Sequence, residues 1–249
     1  VPERLTALRA YAGIWRLYLN WAPLLLLIGA GVFIPVGLLH ALAISLEHQS
    51  IEFGSIAEIA GTVVALIVLA ITGLLGEVFY TGALAALMTG GHEDHEPPSL
   101  REIAREVEYG RLILIDLIYA VVVAIGFILL FVPGVIAFVF LALAAPLVEI
   151  EGRGVRDALR HSIRLVRGRF WTVLWVLLPI ELVGDALTDF LTDLPHHLIG
   201  SEFLADWAAD VLGNLVTTPF YGVAAVLLTV ELVREKEGAG PRIHSLPGR

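Results

Sequence analysis

All sixteen Lys and Arg residues of this chain fall in four short segments, 1–21, 90–111, 150–169 and 234–249, which hold three, three, six and four of them. Apolar runs long enough to cross a bilayer lie between these segments, and the other connections carry no basic residue. Loops that stay in the cytoplasm during insertion retain Lys and Arg. The pattern therefore predicts an all-α, polytopic membrane protein of six transmembrane helices with both termini cytoplasmic. Hydrophobic residues make up 57% of the chain and charged residues 16%, which excludes an ordinary soluble domain. The net charge of -9 carries less information than the way the sign is distributed. Cysteine is absent, so there is no disulfide framework, thiolate metal site or cysteine nucleophile.

Hydropathy places the spans at about 22–45, 56–89, 112–132, 135–149, 170–194 and 211–233, in a single membrane domain over 1–235. Residues 1–21, with Trp15, Tyr18 and Trp21, are expected to form an interfacial helix. Their charges imitate the start of a signal peptide, but the apolar run that follows is too long and lacks a small-residue cleavage site. The run 56–89 would be about 51 Å long if wholly helical, so an irregularity is expected near Gly73, Gly76 and Glu77. After the loop GGHEDHEPP, Ser99 and Glu102 make a capping-box pattern that starts a second surface helix. Pro133-Gly134 is expected to turn a tight hairpin between the third and fourth spans. The tail 236–249 is polar, rich in Gly and Pro, and expected to be disordered.

Between the fourth and fifth spans, Val155, Leu159, Ile163, Val166 and Phe170 recur at helical spacing, and Arg156, Arg160, Arg164 and Arg167 form a parallel stripe about 100° around the same cylinder. A helix with adjoining apolar and basic faces, tied at both ends to spans, is expected to lie in the membrane surface. The motif Arg101-Glu-Ile-Ala-Arg105 before Gly110-Arg111 resembles Arg156-Asp-Ala-Leu-Arg160 before Gly168-Arg169, with a fainter third copy at Arg4 to Arg9. Triplication of a unit and coincidence in a biased composition both remain open.

A family resemblance rests on Pro133-Gly134 after an apolar run, on Pro146-Leu-Val-Glu149-x-Glu151-Gly152, and on Ala158-Leu-Arg160-x-Ser162-x-x-Leu165-Val-x-Gly168. Residues 97–179 resemble the bacterial membrane domain fused to some glycerophosphoryl diester phosphodiesterases, and related six-span membrane proteins of unknown function. The resemblance implies the six-span architecture alone. A phosphodiesterase barrel would need roughly 250 further residues, so no esterase chemistry carries over.

Ionisable groups at membrane depth are functional candidates by default. Glu77, Asp116, Glu149, Glu181 and Glu231 qualify. Asp116, Glu149 and Glu231 have Arg111, Arg153 and Arg234 nearby in sequence and read as structural pairs. Glu77 and Glu181 have none and read as residues of a polar cavity or proton-linked path. Asp185, Asp189, Asp193, His196, His197, Asp206 and Asp210 form an outer acidic set that reads better as a solvated rim than as a metal site, and so does His92-Glu-Asp-His95-Glu. No catalytic motif occurs; adjacent His161 and Ser162 point about 100° apart on a helix.

These readings converge on a non-enzymatic module of the plasma (inner) membrane without metal or cofactor. Arg153, Arg156, Arg160, Arg164 and Arg167 are its expected contacts with anionic or phosphorylated lipid, and the module is expected to aid substrate movement or presentation. The rival role for the arginines is topological anchoring only. Nucleic acid is excluded as a partner because the helix's apolar face requires lipid or the bundle. The alternative is a secondary transporter of a small molecule using the intramembrane carboxylates, and an intramembrane hydrolase stands third.

Overall fold

The computed structural model describes residues 5–50, 80–85, 87, 88, 105 and 108–238. These residues are helical almost throughout, without strands. Seven helices follow in order: α1 (Ala7–Ser50), α2 (Tyr109–Leu129), α3 (Phe131–Leu141), α4 (Ala144–Glu151), α5 (Val155–Val166), α6 (Phe170–Leu198) and α7 (Glu202–Glu237). Residues 80–85, 87 and 88 add a further helical stretch. Five segments among the described residues are long and apolar enough to cross a membrane: Ala7–Leu39, Tyr109–Leu129, Phe131–Glu151, Phe170–Leu198 and Glu202–Glu237. Most of the run 56–89 lies outside the described residues, including the expected irregularity at Gly73–Glu77, and so do the loop 90–98, most of the second surface helix and the tail beyond Gly238.

Helix α7 is the axis of the bundle. It packs along α1 and α6 and also touches α4 and α5. Residues Gly222 to Val230 are buried without interruption, as expected of a helix segment that is apolar all round. Arg234 and Lys236 occupy its last turn, where cations complement the helix dipole. Gly238 closes it at φ 70°, a left-handed cap that glycine adopts without steric cost.

The separate interfacial helix expected over 1–21 is corrected by α1, which runs unbroken from Ala7 to Ser50 through Pro23 and Pro35. The reason is packing. Ala10, Ile14, Trp21 and Leu25 all face the common core, and the ring of Tyr18 stacks on Phe220 of α7 with centroids 4.0 Å apart. A surface excursion would expose that face. The expected start of the sixth span at 211 likewise moves back to Glu202.

The hairpin is also displaced from its expected place. The chain reverses at Leu130, which is extended at φ −166° and ψ 151°, and Pro133 falls in the first turn of α3, where a missing N–H leaves no helical bond unmade. Gly126 and Gly134 let the legs meet: a Cβ on Gly126 would lie 2.8 Å from the Gly134 Cα. The expected span 135–149 is two helices, α3 and α4, interrupted at Ala142 and Leu143. Pro146 accounts for the interruption, since it has no N–H for the Ala142 carbonyl and its ring would crowd that oxygen.

Candidate functional site

Helix α5 is set between two glycine-bearing connections. Gly152 ends α4 at φ 61° and Gly168 follows α5 at φ 87°, so the chain turns sharply at both ends. One face of α5, formed by Ala158, His161, Ser162, Leu165 and Val166, is buried. Arg156, Arg160, Arg164 and Arg167 on the other side are exposed. The buried stripe is offset from the spacing-based face: Val155 and Leu159 are partly buried, but Ile163 is 40% exposed. The offset follows from polar partners inside the bundle. The Ser162 hydroxyl donates to the Phe140 carbonyl at 2.7 Å, and His161, 2% exposed, meets carboxylates with both ring nitrogens.

His161 Nδ1 lies 3.1 Å from Glu151 Oε2, and Nε2 lies 3.0 Å from Glu237 Oε1. Arg153 also bonds Glu151. A hydrogen bond to Glu151 raises the pKa of Arg153 and partial burial opposes the shift. Glu151, His161 and Glu237 are the group among the described residues with the spacing to hold a metal ion. Both imidazole nitrogens and one Glu151 oxygen already take part in hydrogen bonding, so a metal would have to displace one of these contacts.

Three consecutive residues at the end of α7 hold α5 and the turn that follows it. Glu235 pairs with Arg169, Lys236 Nζ donates to the carbonyls of Arg164 and Arg167 at 2.6 and 2.7 Å, and Glu237 meets His161. The lysine thus satisfies carbonyls that a helix C-terminus leaves without N–H donors. On the open side, Asp157, Arg160, Ile163 and Arg164 bound a shallow depression. Among the described residues, no carboxylate pairs with Arg156, Arg160, Arg164 or Arg167.

Arg153 therefore differs from the other four arginines, because Glu151 engages it. The expected Glu149–Arg153 pair is corrected accordingly: Glu149 Oε1 instead accepts the Glu108 backbone N–H at 3.0 Å, at the start of α2. Arg111 lies 3.3 Å from Glu108, and Arg234 lies 3.4 Å from Glu231. Asp116 and Glu181, 65 residues apart in the chain and assigned different roles by sequence, line one cavity of about 150 Å³ with Thr81, Tyr119 and Tyr221. Glu77 lies outside the described residues. In the outer set, Asp189, Asp193 and His197 are exposed, and His196 lies 3.3 Å from Asp206. The side chain of Asp185 is outside the described residues.

Sequence reasoning missed the Glu151–His161–Glu237 cluster and its neighbours on α7. The available signal was a polar His161-Ser162 pair within an otherwise apolar periodicity. Nothing local connects Glu235, Lys236 or Glu237 to it.

An all-helical chain with these five spans is a polytopic membrane protein. It belongs to the family described as Domain of unknown function (DUF7847), whose profile matches residues 103–233. It is also 28% identical over 116 residues to a UPF0259 membrane protein of Pectobacterium carotovorum, a match covering 44% of this chain and 46% of that protein. The chain thus spans about half the length of the curated relative it matches. No solved structure matches it. Of the two resemblances carried by residues 97–179, these matches support the membrane proteins of unknown function.

Proposed function

We propose that this chain is a non-enzymatic inner-membrane module that engages phosphate-bearing anionic lipid headgroups at the cytoplasmic leaflet, with both termini on that side. One observation carries the reading: Arg156, Arg160, Arg164 and Arg167 stand exposed and, among the described residues, without carboxylate partners on a helix whose opposite face and C-terminal end are held by the bundle. Near an anionic surface each such residue contributes on the order of 1 kcal/mol. A fixed helix also avoids much of the ordering cost of binding. The depression between Arg160 and Arg164 suits one phosphate group held by two guanidinium forks.

Replacing the four arginines by Lys preserves charge and insertion but removes the forks. The expected outcome is loss of anionic lipids that co-purify with the parent in the same detergent. Equal retention would reduce the stripe to a topological anchor. A second reading, secondary transport of a small molecule, is favoured by the cavity that Asp116 and Glu181 share. Uptake into proteoliposomes that is abolished by Glu181→Gln would favour it over the first.

A further inference from the structure

The cavity at the interruption between α3 and α4 differs from the arginine face in place and in chemistry. Five helices and the stretch formed by residues 80–85, 87 and 88 contribute to it: Thr81 from that stretch, Asp116 and Tyr119 from α2, Leu141 from α3, Ala145 and Pro146 from α4, Glu181 from α6 and Tyr221 from α7. Its volume of about 150 Å³ equals the share of roughly five waters in the liquid. It is well below the roughly 300 Å³ at which sites for drug-sized ligands begin. The space is large enough for one ion with a few waters.

Every polar side chain in the described lining offers oxygen: two carboxylates, two phenols and one hydroxyl. Among the described residues no Lys, Arg, His, Cys or Met lines it, so the soft and nitrogen-preferring metals find no ligand of their kind there. Ala142, whose carbonyl receives no helical N–H because Pro146 has none to give, also lines the cavity. Interrupted membrane helices place such carbonyls beside cations in transport proteins generally. Two carboxylates lining one pocket between membrane helices also favour a bound positive charge.

We propose that this cavity binds a small hard cation through the carboxylates of Asp116 and Glu181, with hydroxyl and carbonyl oxygens completing its shell. The site acts whether or not a solute moves through the protein, and it is independent of the arginine face.

The test uses the full chain in detergent, buffered with choline salts, to which sodium, potassium, magnesium or calcium chloride is added at matched ionic strength. One of these cations is expected to raise the thermal midpoint saturably above the choline control. Asp116→Asn and Glu181→Gln should each raise the half-saturating concentration by about tenfold or more, the scale on which metal affinity responds to a lost group around the ion. Asp193→Asn, on the exposed acidic rim, and the four-Lys variant of the arginine face should both respond like the parent. Should the cavity variants fail to fold, retention of radiolabelled sodium or calcium by the parent decides the matter. The proposal is overturned if no cation exceeds choline, if acidification alone stabilises the protein, if the double variant saturates at the parent's concentration, or if the parent retains no label saturably.

Discussion

The hydroxyl of Tyr11 donates to the carbonyl of Trp175 at 2.7 Å. Trp175 lies four residues before Pro179, so its carbonyl is the one that the proline leaves without an N–H donor. A side chain of α1 thus replaces the bond that α6 cannot make for itself, as membrane helices require of their neighbours when proline interrupts the ladder. The same hydroxyl lies 3.2 Å from the Val176 carbonyl. Tyr11→Phe should therefore lower stability by about 0.5–1.5 kcal/mol, the net worth of a typical intramolecular hydrogen bond. Thermal unfolding in a single detergent measures this, and an unchanged midpoint would show that the carbonyl does not depend on Tyr11.

The hairpin of α2 and α3 depends on contact between glycine backbones. Gly126→Ala puts a methyl group 2.8 Å from the Gly134 Cα, whereas a Cβ at Gly110 meets nothing within 4 Å. Gly126→Ala is expected to cost about 1–3 kcal/mol through overpacking, and Gly110→Ala should come closer to the parent. Comparing their thermal midpoints separates packing from a general intolerance of glycine replacement.

His161 ties α5 to the last turn of α7. His161→Ala and Glu237→Gln should each destabilise the protein, and their combination should cost less than the sum by about 1 kcal/mol, since both remove one charge-assisted contact. A double-mutant cycle in detergent reads the coupling directly. Strict additivity would mean that the 3.0 Å approach contributes nothing.

Topology is open to a simple measurement. A reporter fused after Ser201, in the connection between α6 and α7, should score as outside the cytoplasm, and one fused after Arg153 should score as inside. A cytoplasmic signal at Ser201 would sink both the six-span map and the leaflet assigned to the arginines.

Much of the architecture was determined by the sequence alone. Apolar length and the confinement of Lys and Arg to four segments specify spanning helices, because each property acts through the solvent and needs no partner in the chain. The glycines bounding α5 and its arginine stripe are equally local. Tertiary structure decided what depends on distant residues. It carried α1 straight through the expected surface helix by packing Ile14 and Trp21 into the core, and it moved the hairpin turn to Leu130 because Pro133 is accommodated in a first helical turn. It rotated α5 toward the acceptors of Ser162 and His161, gave Arg153 to Glu151, and set Glu237 against a histidine far away in the chain. Asp116 and Glu181 share a cavity for the same reason. Helical periodicity says which side of a cylinder a residue occupies, but which cylinders face one another depends on packing summed over the whole bundle.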